Sequence, residues 1–443
     1  MKKTMALVAI GAASALALSA CSSGNGGSSQ GSAVSLDYWM WDDQQVPLYQ
    51  ACAAAFTEAN PNITVKITQT GWSQYWQNLN TQITAGTAPD IFVNQISYFR
   101  EFADNQQLLD ISEQVNASDI DFSDYTEGLA DRWTEGSARY GLPKDWDTVA
   151  LLYNVAAAED AGFTTKDMAS LTWNPTDGGT FGEFVRATSI DSAGRNGLDP
   201  AFDSGDVVRY GYYPEWADGA IGQNGWGVFA HSNGFTFGDG KSAPDYAGQS
   251  LVETAVWLQQ LINDGYAPHF DETSTLGTQA VMENENATST IQGSWMASAY
   301  LGDSAPVDFA FAPVPQGPVG RFASTNGLAD SIWAGTKHPD EAYQFVAYLA
   351  SADCQDKVGE AGLIFPALKS GTQVALKARE KLGYDSTAFV SVAEAGETFL
   401  VPVIQRSAEV GTAVQDAMQA IAQGADPKAT LAAAAATVKS LYS

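Results

Sequence analysis

Val34-Ser35-Leu36-Asp37-Tyr38-Trp39 alternates apolar and polar side chains and reads as a short strand, and the residues after it repeat the same logic. An amphipathic helix runs to about Ala59 and stops at the Asn60-Pro61 turn, and Ile63, Val65 and Ile67 then alternate as a second strand. After the polar and aromatic segment Trp72 to Trp76, another helix passes Ile83 and ends near Gly86. Pro89-Asp90-Ile91-Phe92-Val93 reads as a buried third strand. Strand, helix, strand, helix, strand implies a parallel sheet covered by helices, so the fold class is α/β.

Downstream, Val149 to Tyr153 opens a second block of the same kind. Its middle, residues 170 to 245, is rich in Gly, Asn, Asp and Trp and weak in periodicity, which predicts loops and short elements around a cleft. Helices are expected at 246–263, at Pro339 to Ala350 with Ala342, Phe345, Val346 and Leu349 on one stripe, at 407–423 and at 427–441. No internal repeat is evident, and the run Ala432 to Ala436 fits the last helix.

Upstream, Lys2 and Lys3 precede an apolar run from Met5 to Leu18 that ends in Leu18-Ser19-Ala20-Cys21. The run of about 14 residues is shorter than the roughly 20 that a membrane span needs. These residues resemble the leader and lipobox of bacterial lipoproteins. That resemblance implies cleavage after residue 20 and a diacylglycerol on Cys21, which anchors the chain to the outer face of the cell membrane. Residues 21–33 then form a Gly/Ser tether without core-forming side chains. The remaining body holds no apolar run long enough to span a membrane, which predicts a soluble mature protein large enough for two or three domains.

Asp and Glu number 51 against 22 Lys and Arg, for a net charge of −29. Nucleic acid and anionic lipid headgroups are poor partners for such a surface. Beyond Cys21 the chain has Cys52, on the stripe Leu48, Cys52, Phe56, and Cys354, beside Val358. Two buried thiols acting as small hydrophobes is the first reading, and a single disulfide, which an extracellular compartment permits, is the other.

Catalytic and cofactor motifs are scarce. His231, His269 and His338 form no pair at ligand spacing, so no metal site is expected. Gly238-Asp239-Gly240-Lys241-Ser242 imitates the end of a phosphate loop but has Phe235 where the first Gly belongs, and Gly27-Ser28-Ser29-Gln30-Gly31 sits in the tether with no strand before it. No cofactor is implied. Asp42-Asp43 and Asp145 with Asp147 are paired carboxylates that would serve glycoside hydrolysis if held about 5–5.5 or 6.5–9.5 Å apart. Among 51 acidic residues such neighbours are weak evidence.

The aromatics say more. Trp39, Trp41, Trp72, Trp146, Trp226 and Trp295 fall at expected strand ends or in Gly-rich turns beside Asp, Asn or Gln. A sugar presents flat C–H faces that pack on rings and rims of hydroxyls that need carboxylate or amide partners. Trp41-Asp42-Asp43, Asn94-Gln95, Asp145-Trp146-Asp147 and Gln223-Asn224-Gly225-Trp226 have that make-up. Two or three charge-assisted hydrogen bonds at roughly 1.5–3 kcal/mol each, with stacking, suffice for the about 8 kcal/mol of a micromolar site.

Ala88-Pro89-Asp90-Ile91-Phe92, Gly141-Leu142-Pro143 leading to Leu152-Tyr153-Asn154, Ile291-Gln292-Gly293-Ser294-Trp295, Ala312-Pro313-Val314-Pro315-Gln316-Gly317-Pro318, Thr325-Asn326-Gly327 and Pro339-Asp340-Glu341-Ala342-Tyr343-Gln344-Phe345 follow one another in that order. Together they resemble the family-1 extracellular solute-binding proteins, the group typified by maltose-binding protein. The resemblance implies a type II, maltose-binding-protein-like fold of two discontinuous lobes joined by a hinge. One lobe would hold residues 34–146 with about 310–368, the other 147–309 with about 369–443, with crossovers near 144–149 and 309–312. It implies an extracellular monomer, not an enzyme, that closes on a sugar and delivers it to the permease subunits of an ABC transporter.

By position it makes Asp42, Asp43, Asn94, Gln95, Asp147 and Trp295 sugar contacts. Trp41, Trp72, Asp145, Trp146, Gln223, Asn224, Trp226 and Asn326 complete the expected site. Asp43 stands where maltose-binding protein has a lysine, and Asn94-Gln95 where it has charged and aromatic residues, so the sugar class carries over and maltose itself does not. A secreted glycoside hydrolase using Asp42, Asp43 or Asp147 is the competing class, and a binding protein of the same fold for a non-sugar solute is a third.

Overall fold

The computed structural model describes residues 33–442 except 217, 239–241, 274 and 405. The leader, Cys21, the tether up to residue 32 with its Gly27–Gly31 motif, and the middle of Gly238–Ser242 lie outside the described residues.

Alternation builds the first strand: β1 (Val34–Met40) buries Val34, Leu36, Tyr38 and Met40, every second residue. It runs parallel to β2 (Ile63–Gln69) and to β3 (Ile91–Gln95). Between them, α1 (Val46–Ala59) starts with a proline in its first turn and buries Tyr49, Cys52, Ala53 and Phe56, one helical stripe. α2 (Trp72–Ala85) takes in the whole Trp72–Trp76 segment and ends at Gly86, whose φ of 71° is left-handed and suits glycine. α3 (Ile96–Asp104) follows β3 directly.

A small hairpin, β4 (Thr134–Glu135) and β5 (Ala138–Arg139), leads into β6 (Leu142–Asn154), which spans 13 residues and joins the two halves of the molecule. β7 (Ile190–Asp191) and β8 (Val207–Arg209) pair in the irregular middle. β9 (Ser289–Gly293) and β10 (Phe309–Ala312) run antiparallel to residues 149–154 of β6. β11 (Ala323–Ile332) runs antiparallel to residues 142–148 of β6 and also to β3. β12 (Phe365–Pro366) adds to β6, and β13 (Thr398–Leu400) runs parallel to the start of β11.

Each half has its own core. Leu36, Tyr38, Phe56, Val93, Phe345 and Val346 anchor the first, and Val149, Leu151, Phe181, Trp226, Ile291 and Leu258 the second. Ala312, Val314 and Ala323 pack into the second core. The helices Gln249–Asn263, Ser407–Ala422 and Pro427–Leu441 also close over that core. The strand expected at Val149 is the far half of β6 rather than a separate element.

Cys52 on α1 is disulfide-bonded to Cys354 in the helix Ala352–Gly359, with 5.5 Å between their α-carbons. The free-thiol reading is therefore corrected. Both residues point into the first core from stripes that face each other, a proximity that sequence periodicity cannot report.

Candidate functional site

Between the two cores lies a cavity of about 320 Å³ whose wall draws on the connection between β1 and α1, on α2, β3, β6 and β11, on Ile364 and on the segments at 218–224 and 294–295. That volume is at the small end of the roughly 300–1,000 Å³ of ligand pockets.

One wall is aromatic. Trp41, just past the end of β1, meets Trp72 with ring centroids 5.0 Å apart and Trp76 at 5.5 Å, and Trp76 stacks on Tyr98 at 3.9 Å. Trp76, Tyr75 and Tyr98 hold Trp41 and Trp72 from behind, and Trp72 keeps 42% of its surface exposed. Opposite in the chain, Trp295 follows β9 and folds back over Gly293, where a β-carbon would lie 2.1 Å from the indole. The floor is Trp146, which stacks on Phe365 at 5.0 Å and donates its Nε1 hydrogen to Thr372 Oγ1 at 3.0 Å.

The polar wall is a relay. Lys144, fully buried on β6, donates Nζ hydrogens to Asp145 Oδ2 at 2.8 Å and to Gln45 Oε1 at 2.7 Å. Gln45 in turn donates from Nε2 to Asp42 Oδ2 at 2.7 Å, and the Gln44 amide donates to Asp42 Oδ1 at 2.9 Å. Burial opposes the charge on Lys144, but the carboxylates of Asp145 and Asp330 and the Tyr49 ring beside it hold its pKa above the usual range. Burial raises Asp330 to about 6, against the opposing pull of Lys144 and of the Tyr38 hydroxyl donating at 2.6 Å.

Asp147 has no cation beside it among the described residues. Gln223 Nε2 donates to its Oδ1 at 2.8 Å, and desolvation reinforced by Asp145 pushes its pKa up to about 8. Asp218, in the loop before Gln223, is also raised, first by desolvation and then by Glu215, and its carboxylate accepts the Asn224 and Gly225 amides. Asn326 on β11 lies opposite Asp147 on β6 in the antiparallel register.

Of the residues expected at a site, Trp41, Asp42, Trp72, Gln95, Asp145, Trp146, Asp147, Gln223, Asn224, Trp295 and Asn326 line this cavity. Three do not. Asp43 is exposed beyond it. Asn94 is completely buried and donates to Ser331 Oγ at 3.2 Å, because neighbours on a strand face opposite ways and Gln95 takes the cleft side. Trp226 begins the helix Trp226–Ser232 and is 1% exposed among Phe235, Phe237 and Tyr246. Gly222, at φ 64°, rests on that indole where a β-carbon would come within 2.5 Å, so Trp226 supports the loop carrying Gln223 from beneath. Gln45, Asp218, Ser294, Leu328 and Ile364 line the cavity without having been expected. For Asp218 a signal existed, since Trp216-Ala217-Asp218-Gly219 repeats the make-up of the chosen segments.

Among the described residues no group of three or more His, Cys, Asp and Glu side chains could hold a metal ion, and no helix is long and apolar enough to cross a membrane.

The model of a family described as bacterial extracellular solute-binding protein matches residues 51–381. The galactooligosaccharide-binding protein of Bacillus subtilis (strain 168) is 23% identical, covering 99% of this chain and 97% of its own length. The maltodextrin-binding protein MdxE of the same organism is 24% identical over 66% of this chain and 64% of its own. Among solved structures, M. tuberculosis UspC matches with a TM-score of 0.71 at 25% identity, covering 92% of this chain and all of UspC. The substrate-binding protein Lmo0181 of Listeria monocytogenes, solved with cycloalternan, matches with a TM-score of 0.78 at 16% identity, covering 92% of this chain and 98% of its own. Likeness to these, to the GacH receptor of Streptomyces glaucescens and to the sugar-binding protein MalE of Xanthomonas citri shows the two-lobed, maltose-binding-protein-like α/β fold.

Proposed function

We propose, because the chain belongs to the family of bacterial extracellular solute-binding proteins, that its cleft captures a sugar, in particular an oligosaccharide, for the permease of an ABC importer. The observation that carries this reading is a single cavity in which Trp41, Trp72 and Trp295 alternate with Asp42, Asp145, Asp147, Gln223 and Asn326. Rings for C–H faces beside acceptors for hydroxyls is what a sugar asks of a site. Relatives named for galactooligosaccharide and maltodextrin binding support the same class.

In this reading Asp145 Oδ1 and the free oxygen of Asp147 accept sugar hydroxyls, with Lys144 and Gln223 fixing the orientation of each carboxylate. Gln95, Asn224 and Asn326 add amide partners, and the indoles stack. β6 and β11, which cross between the lobes, flex as the lobes close, and the closed face is what the permease recognises. The lobes divide at about residue 148 of β6 and again within β11. Cys21 tethers a monomer to the extracellular face of the cell membrane, and no bond of the sugar is broken.

Titrating the soluble body with oligosaccharides tests the site. Trp295→Ala and Asp147→Ala each weaken binding by about tenfold or more, a loss of about 1.4 kcal/mol or more, while both variants still melt cooperatively. Unchanged affinity in both would sink the assignment. Products accumulating from a bound oligosaccharide over a day would favour the hydrolase reading instead.

A further inference from the structure

Another cavity, of about 600 Å³, shares no lining residue with the sugar cleft. Its volume lies within the roughly 300–1,000 Å³ of ligand pockets. Much of its wall is aromatic and belongs to the second core: Phe235 meets Phe237 edge to face with ring centroids 5.1 Å apart, and the His231 ring stacks on Phe399 at 3.7 Å. Arg132 enters the wall from the first half, on the turn Ala130–Trp133, where Trp133 packs against Phe99 of α3. Two polar side chains here have no hydrogen-bond partner among the described residues. Arg132 makes neither an ion pair nor a hydrogen bond, although Asp and Glu outnumber Lys and Arg by 51 to 22. Burial pulls its pKa down to about 10, and no carboxylate among the described residues offsets that. His231 is 8% exposed with its Nε2 unsatisfied, and burial alone lowers its pKa to about 3, so the ring is neutral. A desolvated guanidinium without a partner is costly, and buried polar groups in folded chains are otherwise paired.

We infer that this cavity is a second binding site, for a small carboxylate carrying an aromatic ring, with the carboxylate on Arg132 and the ring among Phe235, Phe237 and Phe399. A carboxylate matches the guanidinium fork with two parallel hydrogen bonds, and a partly desolvated pair of this kind is stronger than one in water. The ring of the guest extends side-chain rings already set edge to face. His231 adds ring surface and no second positive charge, which favours a monoanion over a phosphate dianion. The net charge of −29 does not exclude an anion here, because exposed charges farther than about 8 Å are largely screened at physiological salt. Locally the cation is Arg132, and no carboxylate shifts either Arg132 or His231.

The test is calorimetry of the chain without residues 1–21 at pH 7 with benzoate, cinnamate, indole-3-acetate and 1-naphthoate, each against its uncharged primary amide. At least one acid should bind about tenfold or more tightly than its amide. Arg132→Gln should abolish that preference while melting no lower than the parent, since it removes a cation that has no partner among the described residues. Leu400, 44% exposed in the same wall, supplies a second variant: Leu400→Glu should weaken the acid more than the amide. Trp295→Ala, a change in the sugar cleft, should leave acid affinity within about twofold. Every acid binding no better than its amide, a preference undiminished in Arg132→Gln and Leu400→Glu, or acid binding lost in Trp295→Ala overturns the inference. The sugar reading is tested by its own titration and stands or falls separately.

Discussion

Gln223 donates to Asp147 at 2.8 Å, and this one bond ties the irregular loop of the second lobe to the strand that crosses between lobes. It satisfies one carboxylate oxygen, Oδ1, and leaves the other for a ligand. No cation stands beside Asp147 among the described residues, so burial prevails and pushes its pKa up to about 8.

That shift makes stability fall with rising pH. A carboxyl whose folded pKa lies above its unfolded value of about 3.9 contributes its full stability below that value and loses it as pH rises to about 8. Asp330, raised to about 6, acts in the same direction. Asp147→Asn removes the Asp147 share, so the variant should gain thermal stability relative to the parent as pH moves from 5 to 9. Melting curves at both values check this, and a parent-variant difference that does not change with pH would contradict it.

Arg379 is 1% exposed in the helix Lys369–Leu382 and has no carboxylate partner among the described residues. It donates to the carbonyls of Gly362, Leu363 and Ser294 at 2.8 Å each and lies over the Phe365 ring. Ser294 precedes Trp295, and Phe365 stacks on Trp146, so Arg379 positions both rings without touching the cavity. Arg379→Met should weaken ligand binding by about tenfold and shift the tryptophan emission, and Arg379→Lys should recover part of both. Ligand affinity equal to the parent's in Arg379→Met would remove the positioning role.

Trp226 and Trp295 should separate cleanly. Trp226→Phe is a core change expected to cost about 1–3 kcal/mol of stability while leaving affinity within about twofold. Denaturant unfolding and ligand titration of the two single variants, Trp226→Phe and Trp295→Ala, read the contrast directly.

The disulfide between Cys52 and Cys354 closes a sequence separation of 302 residues. Its removal in the Cys52→Ala, Cys354→Ala pair should lower stability by about 2–5 kcal/mol. Intact mass of the alkylated protein, with and without reductant, verifies the bond, and a stability change under about 1 kcal/mol would show that the core alone carries this junction.

The alternation of β1 and the punctuation at Asn60-Pro61 and Gly86 made the first lobe legible, because local periodicity and turn chemistry decide those elements. Asp145, Trp146 and Asp147 were legible as a polar-aromatic cluster, but their strand was not: Leu142 to Asn154 is buried along almost its whole length, which erases the period-2 pattern that marks a strand end. Trp226 looked like Trp295 because both follow a Gly-rich turn. What separates them is packing from Phe235, Phe237 and Tyr246, which only the fold brings together. Gln45 and Arg379 act through partners 99 and 85 residues away in Lys144 and Ser294, a distance over which sequence carries no pairing signal.

Sugar binding by the cleft is read directly in a thermal-shift titration of the chain without residues 1–21 against mono- and oligosaccharides. At a hundred times the dissociation constant a ligand stabilises by about 2.7 kcal/mol, enough to raise the melting temperature by several degrees. Such a rise is expected with one family of sugars and is abolished in Trp295→Ala. A cooperative melt that no sugar moves would contradict sugar binding.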